Sequence, residues 1–576
     1  MNVLLVQPPI RDFYRTSIRS EPIGLAYLAA SLREDGHEVQ ILDCQTEQKR
    51  AVPVPSELSY LKDLYPFYDK SPFKLYTGFY HFGMWWEDIR KRIEDSKADV
   101  FGISSSFTPY HGEALGIARI VKEWDQRKIV VMGGAHVSCD PEGVLKSPDV
   151  DYVVLGEGEV RFSSLLDLIE RKKSEDLEEI DGIGFHRDGA LRIHPPREFI
   201  HDLDSLPHPA RDLYDPGRYR IGKRYSTTII TSRGCPHHCA YCSAHLIMGR
   251  AFRARSPEAV IREMLECRTR LGTRLFDIED DNFTFDRDRA KRLMRGIIEG
   301  FGEEKPELRA MNGISFASLD GELLQLMKQA GFRTVNLSFV STFPSTIAGT
   351  LRPEGGIGFE RILEETERSG LEAVVYAILG MPDQSIEEMV DTLIYLMGKR
   401  VLIGPSVYYP SPGTPLFQRC QERGILPPHS CQWRSAALPI QTEAFDRLDL
   451  STLLRLARTI NFLKGKMDET ELEEGLTWKG LFQVLKNQRG KAKAEVKGGE
   501  EAKTKVEVGE RNGRHWMELL RRMIEERSFF SLKREPNGEC LILRERSSKR
   551  VLDCFLEKAW QRPVLKSRTG LWALDK

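Results

Sequence analysis

The sequence predicts an α/β protein in which a doubly wound parallel sheet is followed by a partial barrel of six β/α units and a small α+β appendage. Short apolar runs alternate with segments of helical period in residues 1–170, and the alternation resumes near residue 223 and continues to residue 440. The length of 576 residues allows for ~3–4 domains of ordinary size. Together these observations predict several consecutive domains.

The composition is that of a globular protein, with 41% hydrophobic and 29% charged residues. The 84 basic and 85 acidic residues nearly balance, which excludes a global charge that would attract nucleic acid or an anionic membrane. No apolar run approaches the ~18 residues of a membrane-spanning helix, and the N-terminus lacks a cationic signal region. The cysteines outside residues 235–242 are scattered without the spacing of a disulfide framework. We expect a cytoplasmic protein with reduced thiols, no nucleic-acid partner and no integral membrane segment.

Residues 1–170 are predicted to form the first domain. Its strands are short apolar runs ended by proline, glycine or polar residues, at Val3–Val6, Val39–Leu42, Val100–Ser104, Ile129–Met132 and Tyr152–Leu155. Helices are predicted at Ile23–Leu32 and Ala114–Trp124. A doubly wound sheet binds its ligand beyond the carboxyl ends of its strands. The residues that follow these ends are the predicted ligand contacts: Ser104, Ser105, Ser106, Gly133, Gly134, Gly156, Glu157 and Gly158.

Residues 45–98 interrupt the alternation and are rich in aromatic side chains between Tyr60 and Trp86. Because so many aromatic groups are costly to expose to water, they are predicted either to pack over a bound cofactor or against the next domain, or to fill a core. His37 follows a predicted helix, and we interpret it as a surface turn residue and not as a metal ligand.

Residues 171–222 are charged and then rich in proline, and they predict a linker that includes a strand pair at Ile183–Phe185 and Leu191–Ile193. Residues 223–440 predict the barrel. Its six strands are Thr227–Thr231, Arg274–Ile278, Ala310–Ile314, Thr334–Val340, Ala373–Leu379 and Gly404–Tyr409. Its helices are Pro257–Leu271, Arg287–Ile298, Asp320–Ala330, Phe359–Ser369 and Glu387–Met397. Barrel enzymes carry their chemistry at the carboxyl ends of such strands.

Three C-terminal segments differ in composition. Residues 441–487 are predicted to be helical and to close the barrel mouth, because apolar residues recur at helical spacing from Leu448 to Leu463. Residues 488–514 hold Lys, Glu, Gly and Ala with few apolar side chains and are predicted to be a disordered linker. Residues 515–576 predict a small α+β appendage, with helices at His515–Arg527 and Ser547–Trp560 and strands at Phe529–Arg534 and Cys540–Arg544.

The most informative motif is R-G-C-P-H-H-C-A-Y-C, in which Cys235, Cys239 and Cys242 have C-x3-C-x2-C spacing. Three thiols on one short loop can turn inward on one metal centre, and thiolates are the usual ligands of iron–sulfur clusters. A four-iron cluster with three protein ligands keeps one iron open to a substrate. The alternatives are three unrelated buried cysteines and a zinc site completed by a histidine, at His237, His238 or His245.

This spacing, with an aromatic residue before the last cysteine, resembles that of the radical S-adenosylmethionine (SAM) enzymes. Further motifs follow in the family order: F-D-I-E-D-D-N-F-T resembles the second strand of the cobalamin subgroup, M-N-G the third and Y-A-I-L-G-M-P-D the fifth. The segments P-I-G-L-A-Y-L-A-A-S-L-R-E-D-G-H-E-V, G-G-A-H-V-S and D-Y-V-V-L-G-E-G-E are similar to the cobalamin-binding domain of that subgroup. The likeness covers residues 1 to about 465.

The resemblance implies a [4Fe–4S] cluster on the three cysteines, SAM at the cluster, and cobalamin on the first domain. The implied SAM contacts are Tyr241, Asp280 or Asp281 for the amino group, Ser341, Ile378 for the adenine, and Gly380. Two departures from the family stand out. The fourth strand ends in V-S-T and not E-S-G, and the first strand lacks the D-x-H-x-x-G motif, so cobalamin is expected to lack a histidine lower ligand.

By the same resemblance, the protein is expected to be a cobalamin-dependent radical SAM enzyme that transfers a methyl group from methylcobalamin to an unactivated carbon. The alternatives are a cyclising, ring-contracting or oxidative enzyme with the same cofactors, and a non-catalytic zinc- or cofactor-binding module. A small-molecule substrate is expected, and the aromatic residues 60–86 suggest an apolar or planar one. No second cluster motif occurs, so a separate flavodoxin or ferredoxin is expected to supply electrons.

Overall fold

The computed structural model describes residues 1–14, 21–45, 49–172, 174–352, 358–469, 471–473, 475–487, 494–496, 503–506 and 515–564. Two α/β units follow one another along the chain, and a helical and α+β region follows them, in the predicted order. Within these residues, no helix is both long and apolar enough to cross a lipid bilayer.

The first domain is the predicted doubly wound sheet. Its strands are β1 Asn2–Gln7, β2 Ile10–Asp12, β3 Glu38–Asp43, β4 Lys49–Val52, β5 Phe79–Phe82, β6 Val100–Ser104, β7 Ile129–Gly133, β8 Tyr152–Val154, β9 Ile183–Arg187 and β10 Ala190–Ile193. Its helices are α1 Ile23–Glu34, α2 Trp86–Asp95, α3 His111–Trp124, α4 Ala135–Cys139, α5 Pro141–Leu145 and α6 Gly158–Glu170. The main sheet has the order β10-β9-β8-β7-β6-β1-β3.

Strand β1 lies inside this sheet because both of its faces are apolar. Val3 and Leu5 pack on one side, in the core beneath α1 and α6, and Leu4 and Val6 pack on the other, beneath α2 and α3. Strands β3, β1, β6, β7 and β8 are parallel, and β9 pairs with β8 in the antiparallel direction. The strand pair β9–β10 had been predicted within the linker, so the sheet continues beyond the predicted boundary at residue 170.

The aromatic insertion fills a core. Strands β2, β5 and β4 form a small antiparallel sheet beside which Phe13, Tyr65 and Phe73 are buried in the same cluster as the barrel. The hydroxyl of Tyr65 donates to the carbonyl of Ala436 at 2.8 Å, which ties the insertion to the end of the barrel. His37 is also buried, with 7% of its surface exposed, because it packs against the N-terminus of the chain. Its prediction as a surface residue was wrong.

The second unit is the predicted partial barrel. Its strands are β11 Arg220–Ile221, β12 Arg224–Ile229, β13 Ser232–Arg233, β14 Arg253–Ala254, β15 Leu275–Ile278, β16 Glu307–Arg309, β17 Ile314–Ser315, β18 Thr334–Val340, β19 Glu372–Leu379 and β20 Leu402–Val407. Its helices are α7 Ala244–Met248, α8 Pro257–Leu271, α9 Arg287–Phe301, α10 Gly321–Ala330, α11 Pro344–Gly349, α12 Phe359–Arg368, α13 Ile386–Met397 and α14 Pro415–Glu422. Two parallel sheets, β12-β15-β16 and β17-β18-β19-β20, are joined by the bridge between Leu308 and Phe332.

The third barrel strand differs from the prediction. It had been placed at Ala310–Ile314, but the structure divides it into β16 and β17 with a turn between them. Gly313 has a φ of +96°, and a Cβ atom there would lie 2.9 Å from the hydroxyl of Ser338. The glycine therefore permits an interruption that an ordinary strand residue would resist.

The first C-terminal helix covers the free edge of the last barrel strand. Helix α15 Arg447–Asp468 packs on β20, and α16 Trp478–Asn487 follows it. The side chain of Asn461 accepts a hydrogen bond from the backbone N–H of Ile403 (2.9 Å) and donates one to its carbonyl (2.8 Å). One amide thus satisfies both backbone groups of Ile403 on the free edge of the last strand. The first turn of α15 also reaches the carboxyl end of β19, where Leu450 lies against Gly380, and closure of the barrel mouth stays a prediction.

The appendage contains α17 His515–Glu526, β23 Phe530–Arg534, β24 Cys540–Arg544 and α18 Lys549–Ala559, close to the predicted elements. Two strands, β21 Ala494–Val496 and β22 Lys503–Val506, extend its sheet in the order β21-β22-β24-β23, although they lie in the segment predicted to be a disordered linker. The rest of that predicted linker lies outside the described residues. Asp449 of α15 accepts hydrogen bonds from Ser548 and Arg550, which hold the appendage against the barrel.

The amide of Asn461 gives a stability prediction. Asn461→Asp keeps the acceptor for the N–H of Ile403 but removes the donor to its carbonyl, so we expect the free energy of unfolding to fall by about 1–3 kcal/mol. Urea unfolding of the cofactor-free protein measures the change. The control is Gln418→Ala, because the Gln418 side chain bonds to Glu422 on the surface. Equal midpoints for the two variants would contradict the role assigned to Asn461.

Candidate active site

A cavity of about 1190 Å³ lies between the first domain and the barrel. One wall consists of the loops that follow β1, β6, β7 and β8, and the opposite wall consists of β12, β15 and the residues that follow them. The two parallel sheets therefore direct the carboxyl ends of their strands at one shared space, where both fold types place their ligands. No histidine is among the described residues that line this cavity.

The cysteine loop leaves the barrel after β12. It begins at the short strand β13 and ends at α7, and the backbone N–H of Cys242 donates to the carbonyl of Cys239 at 3.1 Å. The amide nitrogen of Asn282 approaches the sulfur of Cys235 at 3.5 Å. Burial, followed by the charges of Cys239, Asp281 and Cys235, raises the pKa of the Cys242 thiol to about 11.

The donor set fits an iron–sulfur cluster. The neighbouring thiols contribute to the raised pKa of Cys242, and a bound metal centre reverses that effect, because a coordinated thiol is deprotonated. Among the described residues, no three His, Cys, Asp or Glu side chains converge on one point as the ligands of a single ion would. In a [4Fe–4S] cubane each thiolate binds a different iron, so the three sulfur atoms need not converge on a single point.

Four buried charged residues join the cysteine loop to the first domain. Arg233 donates to Glu157 at 3.0 Å and to Glu159 at 2.6 Å, and Arg253 donates to both oxygens of Glu157 at 2.9 Å. Although burial by itself lowers the pKa of the Arg233 guanidinium, the two carboxylates raise it above its ordinary value. The four side chains are all more than nine-tenths buried, so these charges are paired within the protein.

Three carboxylates alternate along β15 and its continuation. Asp277, Glu279 and Asp281 occupy every second position and all line the cavity. Burial raises the pKa of each, to about 6 for Asp277, about 7 for Glu279 and about 6 for Asp281. The side chain of Asp281 faces the cavity, and the cavity walls limit its contact with water, so its charge is poorly solvated. Such a wall favours the binding of a cationic group.

Asp280 has a different role from its neighbour Asp281. Its side chain is buried, and it accepts hydrogen bonds from the N–H of Thr231 (2.6 Å), the hydroxyl of Thr231 and the hydroxyl of Ser232 (2.7 Å). These bonds hold the end of β12 beside the end of β15. Asp281 lines the cavity and accepts one bond, from the N–H of Gly234 at 3.0 Å.

All the residues predicted to contact cobalamin line the cavity: Ser104, Ser105, Ser106, Gly133, Gly134, Gly156, Glu157 and Gly158. Gly134 has a φ of +109°, and a Cβ atom there would lie 2.9 Å from the carbonyl of Ser105. This glycine lets two ligand-facing loops lie against each other, so the wall consists largely of backbone and small side chains. The wall fits a large flat group. Glu157 is the exception, because its oxygens are already bonded to arginines.

Five of the predicted SAM contacts lie outside the residues that line this cavity: Tyr241, Asp280, Ser341, Ile378 and Gly380. Ser341 is fully buried, and its hydroxyl donates to Glu388 at 3.0 Å and accepts from the N–H of Phe343 at 3.1 Å. A role for Ser341 in binding the carboxylate of SAM would require breaking these bonds, so the geometry does not support that prediction. The hydroxyl of Tyr241 accepts a hydrogen bond from Arg352 at 3.0 Å.

Sequence reasoning missed Glu279, Asn312 and the charge network around Arg233. Glu279 could have been found, because alternate acidic positions on one strand point to the same face. Asn312 lies in the turn that divides the third strand, and it lines the cavity and bonds to Glu279. The pairing of the glutamates with Arg233 joins residues that are far apart in sequence, and no local pattern indicates it.

Comparison with known proteins agrees with this architecture. Residues 229–396 match the family model of the radical SAM superfamily, and residues 77–166 match that of the B12 binding domain. An uncharacterised methyltransferase of Pyrococcus horikoshii is 28% identical over 480 residues, 81% of this chain and 94% of the relative. The cytidylyl-2-hydroxyethylphosphonate methyltransferase of Streptomyces wedmorensis is 28% identical over 75% of this chain and 84% of its own.

Two further comparisons bear on chemistry and fold. The anaerobic magnesium-protoporphyrin IX monomethyl ester cyclase of Synechocystis is 28% identical over 60% of this chain and 62% of its own. The structure of the radical SAM methyltransferase TsrM from Kitasatospora setae, with cobalamin and a [4Fe–4S] cluster bound, superposes with a TM-score of 0.57 at 20% identity. That superposition covers 73% of this chain and 78% of TsrM, and it shows a shared fold.

The barrel and its cysteine loop therefore define a radical SAM enzyme. More particularly, a radical SAM domain in residues 229–396 follows a B12 binding domain in residues 77–166. Its cofactors are a [4Fe–4S] cluster, SAM and cobalamin. The matches favour the iron–sulfur interpretation of the cysteine motif over the zinc interpretation.

Substitution by asparagine is predicted to lower the free energy of unfolding at Asp280 but not at Asp281. Asp280→Asn removes acceptors from buried donors and is expected to lower the free energy of unfolding by about 1–3 kcal/mol. Asp281→Asn replaces a poorly solvated carboxylate, so stability at pH 8 is expected to stay the same or rise. Urea unfolding of the cofactor-free variants measures both. A larger loss for Asp281→Asn than for Asp280→Asn would contradict this division of roles.

Proposed function

We propose that the protein is a cobalamin-dependent radical SAM C-methyltransferase that acts on a small molecule. The observation that carries the proposal is the single cavity onto which the first-domain sheet and the barrel both open. The two relatives that are matched over more than four fifths of their length are named methyltransferases, which supports methylation. The cyclase is matched over 62% of its length.

When bound, the cofactors supply the bond-breaking chemistry, since a reduced cluster cleaves SAM to a 5′-deoxyadenosyl radical and methylcobalamin donates the methyl group. The chain binds and orients them. We assign the cluster to Cys235, Cys239 and Cys242, which share one loop at the carboxyl end of β12. The backbone of that loop is fixed to the barrel, because the N–H of Ala240 donates to the carbonyl of Thr350 at 2.8 Å.

The amino group of SAM is a cation near neutral pH, and Asp281 and Glu279 are its proposed partners. Both line the cavity, and a carboxylate that accepts a hydrogen bond from an ammonium is a strong interaction in a poorly solvated site. Asp280 is not proposed for this role, because its oxygens already accept bonds from Thr231 and Ser232. Asn312 bonds to Glu279 and orients it.

For cobalamin we propose contacts with the serines and glycines of the first-domain loops. Ser104, Ser105 and Ser106 offer hydroxyl groups, and Gly133, Gly134, Gly156 and Gly158 offer close approach to the backbone. The apolar residues Leu25, Leu28 and Ile103 line the same cavity and exclude water from it. The aromatic residues of the insertion, which suggested a planar substrate, fill a core and do not support that suggestion.

We also propose that electrons come from a separate flavodoxin or ferredoxin and that the protein works in the reducing cytoplasm. Radical SAM chemistry needs a one-electron donor, and the sequence holds one cluster motif. The cysteines outside the cluster motif show no disulfide framework spacing, which supports a reducing compartment.

A ring-forming enzyme with the same cofactors is the second candidate, and the cyclase relative favours it. The reaction products separate the two without knowledge of the substrate. The protein is reconstituted anaerobically with iron, sulfide and hydroxocobalamin and incubated with SAM and a reductant. A methyltransferase of this kind uses SAM as the methyl source, so S-adenosylhomocysteine should form in addition to 5′-deoxyadenosine. Formation of 5′-deoxyadenosine alone would favour the cyclase.

The assignment of the cluster predicts the effect of removing each thiol. Cys235→Ala, Cys239→Ala and Cys242→Ala are each expected to lose most of the four irons per chain and the release of 5′-deoxyadenosine from SAM. Iron and sulfide analysis after anaerobic reconstitution measures the loss. The matched control is Cys540→Ala, because Cys540 belongs to a strand of the appendage. Full iron content in a loop variant would contradict the assignment.

The raised pKa values of the cavity carboxylates predict a pH dependence of SAM binding. Glu279, with a pKa of about 7, is mostly protonated at pH 6 and half ionised at pH 7, and only the ionised form pairs with the amino group. Affinity should therefore rise by roughly fivefold between pH 6 and pH 7. Calorimetric titration of the reconstituted protein with SAM measures the rise. Glu279→Gln should flatten the profile, and an unchanged slope in that variant would count against this partner.

A further inference from the structure

The acidic loop after β8 meets the cysteine motif at the boundary between the two domains. Arg233 lies two residues before Cys235. One of its terminal nitrogens donates a hydrogen bond to Glu157 at 3.0 Å, and the other donates one to Glu159 at 2.6 Å. All three charged side chains are more than nine-tenths buried. We propose that Arg233 is a positioning residue, which fixes the cysteine loop against the first domain and so sets how the cluster and the cobalamin face each other.

The contact has a second point of attachment. Arg253 pairs with Arg233 across the antiparallel strands β13 and β14, and it donates to both oxygens of Glu157 at 2.9 Å. It also donates to the carbonyls of Ile200 and Met248, each at 2.6 Å. Because two arginines on opposite strands share one carboxylate, the strand pair cannot turn relative to the first domain without breaking charge-assisted bonds.

The backbone between Arg233 and the first cysteine is rigid. Gly234 has a φ of +82°, and a Cβ atom there would lie 2.3 Å from the carbonyl of Ala251. Its N–H donates to Asp281 at 3.0 Å, and the N–H of Cys235 donates to the carbonyl of Gly249 at 3.4 Å. A shift of the Arg233 side chain is therefore passed to Cys235 through one tightly packed residue.

The four charges balance, two positive and two negative, so the network adds no net charge to the cavity. Its effect on the reaction is geometric. Oriented reactions lose ~100-fold in rate for a misplacement of about 1 Å, and the two cofactors are held by different domains. Among the described contacts, this network links the wall proposed to hold cobalamin most directly to the loop proposed to hold the cluster.

The test measures geometry and not turnover. Glu157→Gln keeps the shape of the side chain but turns an amide N–H₂ toward a guanidinium, and Arg233→Lys keeps the charge but cannot reach both glutamates. After anaerobic reconstitution with iron, sulfide and hydroxocobalamin, pulsed electron paramagnetic resonance gives the distance distribution between the reduced cluster and cob(II)alamin. Both variants should retain iron and cobalamin, with a distribution that broadens and shifts by about 1 Å.

The matched control is Asp69→Asn. Asp69 is an equally buried carboxylate that accepts a bond from Arg455 at 3.0 Å and joins the aromatic insertion to α15, remote from the cysteine loop. It should lose stability but keep the wild-type distance distribution. A protein-only measurement covers the case in which a variant binds cofactors poorly: hydrogen exchange at residues 233–235 of the cofactor-free protein should be faster by roughly tenfold in Glu157→Gln and unchanged in Asp69→Asn.

The inference rests on the two-cofactor site of the proposed function, and the outcomes separate the two. Distances and exchange that match wild type in both Glu157→Gln and Arg233→Lys would overturn the positioning role and leave the proposed function in place. A wild-type protein that binds neither four irons nor cobalamin would overturn the proposed function and the positioning role with it.

Discussion

The structure depends on buried charged groups that hold the carboxyl ends of two parallel sheets opposite each other. Three carboxylates of the first domain bond to the barrel: Glu157 to Arg233 and Arg253, Glu21 to the hydroxyl of Thr227, and Asp12 to Arg434. Removing one partner from a buried pair leaves an uncompensated charge, so each link resists separation of the domains. The cavity exists because these links fix the carboxyl ends of one sheet opposite those of the other.

This arrangement divides the work between the two walls of the cavity. The first domain contributes small side chains and backbone, which suit a large flat group, whereas the barrel contributes a row of carboxylates, which suit a cation. Desolvation raises the pKa of that row, most clearly at Glu279. Ionising these desolvated carboxylates is unfavourable without a counter-ion and favourable when a cation pairs with them, as in other sites with perturbed ionisation.

The parts of the chain outside the cavity complete surfaces that the barrel leaves open. Because the barrel has six strands and does not close on itself, β20 has a free edge, and α15 covers it with the amide of Asn461. The appendage then packs on α15 through Asp449. The aromatic insertion packs between the barrel and the small sheet of β2, β4 and β5. These additions stabilise the barrel from outside the cavity.

The order of elements, the two α/β units and the cysteine loop could be predicted from the amino-acid sequence, because apolar periodicity and ligand spacing are local properties of the chain. Tertiary structure alone decided which aspartate faces the cavity, since Asp280 and Asp281 are adjacent and differ only in whether Thr231 and Ser232 lie nearby. It also decided that Glu157 bonds to arginines across the domain boundary and that Ser341 bonds to Glu388. Those partners are distant in sequence, and only packing of the finished fold brings their atoms together.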